Sequence, residues 1–282
     1  TPFGHAGERI LSSLYQEHTG RYFNHNVHSV RVLDDMVNWN ISLQTLDGIL
    51  CHNGELELKE YRPCEMSTFV EYDKKVEACY VDENAIGELI PCTLEGCVMR
   101  ICDIIAYLGK DRQDAMRLNL LKESPFTAGA IGTSNGEIIN NFSVNIIENS
   151  YGKDYLKMDE EYFDALRQAK KENYEMIYNN KSLNDLYENE IRPMFGELYE
   201  ELLRQAESGD KSSVFYRHHM AYMEKNNFYV KSHVRKPYAE QEKNQLVVDY
   251  LASMTDDYFI ALYHYLFPKG KHDVKFVGYF DL

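Results

Sequence analysis

The spacing of apolar residues between positions 94 and 108 constrains this chain more than any other feature. Leu94, Val98, Ile101, Ile105 and Leu108 recur at alternating intervals of four and three, the period of one face of an α-helix. Thr93 stands just before the run, where its hydroxyl can accept from a backbone N–H of the first turn. A helix with one apolar face has to bury it against other elements, and the rest of the sequence offers helices for the purpose.

After Gly4, the residues Ile10, Leu11, Leu14 and Tyr15 make a stripe on a first helix, and Val30, Leu33, Met36 and Val37 make one on a second. Ser42 is placed to cap a third helix that Gly54 would stop. Residues 55–92, with Pro63, Pro91 and mixed polar residues, read as irregular or short-helical connection. The segment from Gly129 to Gly136 reads as a loop and sets an expected division into 1–126 and 127–282. Downstream, Asp159 opens a helix through Tyr178, and Ser182 with Asp185 opens another that has to kink or break near Pro193. The polar stretch from Glu207 to Lys211, with Gly209, is a loop, and a further helix is expected from about Gln241 to Phe267. Strand character is confined to the tail from Val274 to Phe280. No internal repeat is visible. The expected class is all-α: a helical bundle core with a helical C-terminal extension.

Composition excludes some functions. A chain of 282 residues with 44% hydrophobic and 27% charged residues can bury a large core as an ordinary soluble protein. No apolar run approaches the roughly 20 residues needed to span a bilayer, and no signal peptide is visible. A net charge of -15 argues against an extended nucleic-acid surface. It is compatible with a polyphosphate site in which local cations or a metal offset the repulsion. The six cysteines (Cys51, Cys64, Cys79, Cys92, Cys97 and Cys102) form no Cys-x-x-Cys and suit no common zinc site. They read as small buried hydrophobes in a reducing compartment, so a cytoplasmic setting is expected.

Three groups of residues could carry chemistry. His5 and Glu8, three apart at a helix start, share a face, and a carboxylate beside an imidazole fixes its tautomer and raises its basicity. His25 precedes the second helix. Asp103, Tyr107 and Asp111 run up one side of the 94–108 helix, away from its apolar face. On spacing alone each has a plain alternative: a polar first turn, a capping histidine, a solvated face. Lys231, Arg235 and Lys236 form the densest basic cluster before the last long helix, which an ordinary solvated loop would also explain. The pair His272-Asp273 lies in a loop and reads as incidental. His218 and His219 are adjacent, so they cannot easily share one metal.

Read together, four strings resemble a known family. They are Thr1-Pro2-Phe3-Gly4-His5-Ala6-Gly7-Glu8, the Phe-x-His-Asn-x-x-Ser-Val-Arg run from Phe23 to Arg31, the Leu43-Gln44-Thr45-Leu46-Asp47-Gly48-Ile49-Leu50-Cys51-His52-Asn53-Gly54 segment, and the stretch from Thr93 to Tyr107. This set resembles the HD-domain deoxynucleoside triphosphate triphosphohydrolases, the dGTPase-like proteins. The stretch from Val248 to Tyr258 is similar to the family's C-terminal signature, with Asp256 expected in a supporting or structural part. His28 departs from the Gln usual there.

The resemblance implies an HD-type helical fold that hydrolyses dGTP or another deoxynucleoside triphosphate to the deoxynucleoside and triphosphate. It implies that His5 and Glu8 form a catalytic pair, with His5 held by Glu8, and that His25 lies beside the scissile phosphate. Asp103 would be the last protein ligand of a divalent metal, whether Mn, Mg, Fe or Ni. Tyr107 and Asp111 would line the nucleoside pocket, Lys231 and Arg235 would meet the phosphates, and a homo-oligomer would be common. In the family a His-Asp-x-Gly-His string stands immediately before Thr-Pro-Phe-Gly-His, so the chain as written is expected to be inactive without those upstream ligands. Two other readings stay open: another HD phosphohydrolase acting on a nucleotide, and a metal-free nucleotide-binding regulatory subunit.

Overall fold

Twelve α-helices and two short strands make up most of the computed structural model, which describes residues 1–282 except 38, 54–56, 119, 122–125, 227–236 and 275–282. The helices are α1 (Gly4–Thr19), α2 (His25–Arg31), α3 (Leu43–Leu50), α4 (Phe69–Val81), α5 (Leu94–Arg117) and α6 (Asn135–Ser150). They continue with α7 (Glu160–Asn173), α8 (Lys181–Leu186), α9 (Arg192–Ser208), α10 (Ala221–Asn226), α11 (Lys243–Ala252) and α12 (Asp256–Leu266). The strands β1 (Glu60–Tyr61) and β2 (Leu156–Lys157) form one antiparallel pair. The fold is all-α, as the periodicity required. No described helix is long and apolar enough to cross a membrane.

Two compact units emerge. Unit 1 draws its described residues from Thr1–Ile41, Lys74–Ala85 and Asp185–Asp281, and unit 2 from Ser42–Asp73 and Ile86–Asn184. Each unit therefore includes residues from both sides of the expected 126/127 division.

In unit 1, α1, α9 and α11 pack on one another. The expected stripe on α1 is buried at Ile10, Leu11 and Tyr15, and Gly20 ends the helix in the left-handed region at φ 74°. Every residue of α11 from Gln245 to Ala252 is buried, as suits a helix with neighbours on all sides. Phe195, Leu198, Leu202, Leu246 and Phe259 fill the space between, each contributing about 1.5–3 kcal/mol by burial. The single helix expected over Gln241–Phe267 is two. The hydroxyl of Thr255 accepts from the Tyr258 N–H and starts α12, with Asp256 and Asp257 in a first turn that favours negative charge. Near Pro193, the expected break takes the form of a π-helical turn over Tyr187–Ile191, after which α9 begins.

Unit 2 centres on α5, packed against α3, α6 and α7. Thr93 caps it, accepting from the Gly96 N–H at 3.0 Å. Its core face consists of Cys97, Ile101, Ile104, Ile105 and Leu108, whereas Val98 is 44% exposed. The apolar side is thus turned from the expected stripe, because Cys97 and Ile104 join the core while Val98 falls at its edge. The start of α6 falls within the segment 129–136 expected as a loop. Ser134 and Glu137 form a reciprocal capping box there, and Ile138, Phe142 and Ile146 bury against the α5 core. The 55–92 connection contains a longer helix than expected, the 13-residue α4. Residues of α7 anchor Arg112: its Nε donates to Asn173 at 2.8 Å and its second amino group to Glu172 at 3.1 Å. Asp47 is fully buried and accepts from the Cys92 N–H at 2.6 Å, tying α3 to the residue before the α5 cap. All six cysteines are free thiols. The stop expected at Gly54 and most of the strand-like tail lie outside the described residues.

Candidate active site

The turn leading into α1 builds the site's first half. Phe3 adopts φ 60°, a left-handed conformation that costs a non-glycine residue about 1–3 kcal/mol. Its carbonyl accepts from the Gly7 N–H. Gly7 is required there, since a Cβ would come within 1.9 Å of the Pro2 carbonyl oxygen. His5 and Glu8 then project from the first turns of α1. Asn24 caps α2 and places His25 at its first position.

These elements bring His5, Glu8 and His25 together. The Glu8 carboxylate lies 2.9 Å from His25 Nδ1 and accepts from the His25 backbone N–H at 2.8 Å. The His5 and His25 rings stand edge to face, 5.5 Å between centroids. Burial alone would raise the Glu8 pKa, but the hydrogen bonds from His25 and the charges of His25 and His5 hold it below the usual carboxylate range. An ionised Glu8 accepts only, so the proton on the shared bond belongs to His25 Nδ1. Nε2 is the ring nitrogen on the far side from that bond. Glu8 also feels the charge of His5, the partner that the resemblance implied for it, and it hydrogen-bonds His25 as well.

Ligand atoms of His5, Glu8 and His25 all lie within 4.8 Å of one another, a spacing a divalent cation could bridge. Asp103, Tyr107 and Asp111 lie in unit 2, half-buried on one side of α5 as expected. The Tyr178 hydroxyl donates to the Asp111 carboxylate, a contact no sequence signal announced. Lys231 and Arg235 lie outside the described residues. A cavity of about 680 Å³ in unit 2, lined by Gln44, His52, Glu95 and Met99 among others, includes none of the expected site residues. His272 and Asp273 pair with Glu190 and His264, consistent with an incidental dipeptide. His219 is buried on Tyr250 and His218 meets Tyr258.

Behind α2 lies a polar network that sequence reading missed. Asp249, fully buried on α11, accepts from Arg31 Nε at 2.7 Å and from a second Arg31 nitrogen at 2.6 Å. It also accepts from Gln245 and from the Tyr238 hydroxyl, each at 2.9 Å, and Tyr238 in turn meets His219 at 2.7 Å. Burial would raise the Asp249 pKa, and Arg31 overcomes it, keeping the carboxylate ionised. His28 sits 3.7 Å from Asp249, and its Nδ1 is buried without a hydrogen-bond partner.

That network makes unit 1 acid-sensitive. Burial pushes His28 and His219 down, each to about 4, from an ordinary 6.5. Between those values the unfolded chain binds the extra protons, so stability is full above the ordinary value and falls as pH drops toward 4. Each histidine accounts for up to about 3 kcal/mol of that loss. Melting temperatures between pH 7 and pH 4 are expected to fall steeply, and His28→Gln to flatten the slope; identical slopes would refute the role given to His28.

Comparison with known proteins points to phosphohydrolases. Residues 156–265 match the phosphohydrolase-associated domain. The chain is 26% identical over 275 residues to a deoxyguanosinetriphosphate triphosphohydrolase-like protein of Caldanaerobacter subterraneus subsp. tengcongensis, covering 95% of this chain and 63% of the relative. A relative of the same name from Desulfatibacillum aliphaticivorans is 24% identical over 277 residues, covering 95% and 67%. A third, from Rhodopseudomonas palustris, is 33% identical over 143 residues, covering 46% and 34%. The chain thus spans about two thirds, or slightly less, of the length of the relatives matched end to end. The helical fold and these matches make the chain similar to the dGTPase-like HD-domain phosphohydrolases.

Proposed function

We propose that this chain belongs to a metal-dependent hydrolase that converts a deoxynucleoside triphosphate into the deoxynucleoside and triphosphate. The observation that carries the reading is the largely covered Glu8 carboxylate, hydrogen-bonded to His25, whose ring stands edge to face with that of His5. Such a cluster holds and delivers a proton beside an anionic phosphoryl group, and the names of the matched relatives supply the substrate class. The same reading carries a cytoplasmic homo-oligomer.

A divalent metal, held in part by Asp103, would polarise the α-phosphate and activate water. The chain's own residues do the rest. Glu8 orients His25 through Nδ1, and in the doubly protonated ring Nε2 donates to the phosphoryl oxygens and stabilises their charge. His5, beside Glu8 on the first turns of α1, protonates the departing 5′ oxygen. Tyr107 packs against the sugar or base, and Asp111 accepts from the 3′-hydroxyl once the Tyr178 hydroxyl gives way. Lys231 and Arg235 offset the charge of the polyphosphate.

Release of inorganic triphosphate from each of the four deoxynucleoside triphosphates, with Mn²⁺ or Mg²⁺, tests the reading. It is measured on this chain and on a longer version carrying residues upstream of Thr1. Triphosphate and deoxynucleoside as products would support it. Pyrophosphate and monophosphate would sink it, and nucleotide binding without turnover in either version would favour a regulatory subunit. In whichever version is active, Asp103→Ala is expected to abolish metal-dependent turnover; undiminished turnover would remove Asp103 from the metal site.

A further inference from the structure

The turn that delivers His5 is strained, and something outside α1 has to hold it. Phe3 is the one described non-glycine residue with positive φ, and it lies two positions before His5. Its backbone N–H donates to Asp256 Oδ1 at 2.7 Å. Asp256 is the first residue of α12, inside the segment that matches the phosphohydrolase-associated domain. From the next turn of the same helix, the Phe259 ring meets the Phe3 ring edge-on at 5.3 Å. So α12 grips Phe3 at two points, one on its backbone and one on its ring. The ring contact is apolar and tolerates rotation about the helix start. The hydrogen bond is directional and sets the orientation of the Pro2–Phe3 peptide, which leads into the strained Phe3 and the start of α1.

We infer that Asp256 is a positioning residue for the His5–Glu8–His25 cluster: by holding the Phe3 N–H, it fixes the first turn of α1 and with it the angle at which His5 meets His25. This rests on the proposed reading of the cluster as a catalytic site, but the geometric part can be examined apart from turnover. Asp256 touches neither imidazole in any described contact, so its influence passes through the backbone. An asparagine keeps an oxygen that accepts from the Phe3 N–H, whereas an alanine does not.

The test compares Asp256→Ala with Asp256→Asn by NMR on the chain as it stands. The nuclear Overhauser effect between the His5 and His25 ring protons and the Phe3 amide shift are the readouts, with thermal melts as a check on folding. Asp256→Ala is expected to weaken the His5–His25 signal and move the Phe3 amide, and Asp256→Asn to restore both. Where turnover is measurable, Asp256→Ala should lower kcat roughly tenfold with little change in KM, since a misplaced acid costs rate more than binding. A folded alanine variant with the His5–His25 signal intact would overturn the inference. Should that variant not fold, Asp256→Ser, which keeps a polar first turn but falls short of the N–H, takes its place under the same criteria. Absence of turnover in the unaltered protein would count against the proposed function alone, because the NMR comparison would still decide on Asp256.

Discussion

Asp249→Ala is expected to cost unit 1 about 3–5 kcal/mol, the usual penalty for breaking a buried ion pair from one side. The carboxylate is fully buried and takes hydrogen bonds from Arg31, Gln245 and Tyr238. Without it, Arg31, itself only 8% exposed, becomes a buried cation with its main partner gone. Gln245 and Tyr238 also lose their acceptor, and Tyr238 is the link to His219. The size of the loss comes from these stranded groups more than from the attraction between the ions. Denaturant unfolding followed by far-UV circular dichroism measures it. The double variant Arg31→Met with Asp249→Leu should recover much of the loss, because it removes both charges. A loss below about 1 kcal/mol in the single variant would show that water reaches the site and that the pair does not organise unit 1.

Glu8→Gln should affect chemistry as strongly as Asp249→Ala affects folding. The amide can still accept from the His25 N–H, so the fold is preserved. It also turns an NH₂ toward Nδ1, so the ring loses the carboxylate acceptor that orients it, and the negative charge between the two rings disappears. A fall in kcat of roughly 100-fold or more is expected in the active version, the range for losing a positioned acid–base group, with KM changed little. Triphosphate release under single-turnover conditions reads it. Equal losses in binding and turnover would instead make Glu8 a structural residue of the α1 start.

Local signals in the sequence carried far. The caps at Ser42, Thr93 and Asp159 each begin a helix because a short hydroxyl or carboxylate accepts from an N–H two or three residues on, an interaction that needs no distant partner. The stripe Asp103–Tyr107–Asp111 shares one side of α5 for the same reason, since helical period alone sets it. Errors arose where two local signals competed. Apolar periodicity from Gln241 to Phe267 concealed the Thr255 cap, and the glycines before Asn135 concealed the Ser134–Glu137 box. Val98 fits the four-and-three spacing yet is exposed, because which flank of a stripe is covered depends on what packs against it.

By itself, then, the sequence determined the helical class, most helix starts and the likeness to a family of phosphohydrolases, all of which follow from short-range spacing and motif. Only the tertiary structure decided which residues are partners across long separations. Arg31 and Asp249 are 218 positions apart, and Phe3 and Asp256 are 253 apart. Both Arg31 and Asp249 stand in strings that could be recognised, but nothing in either string names the other. The same holds for Glu8 and His25, 17 positions apart, whose hydrogen bond no local spacing announces. A side chain three residues along a helix is within reach, but a directional hydrogen bond goes to the donor that the packing of α1 against α2 presents at the right angle, and that angle is a property of the assembled core.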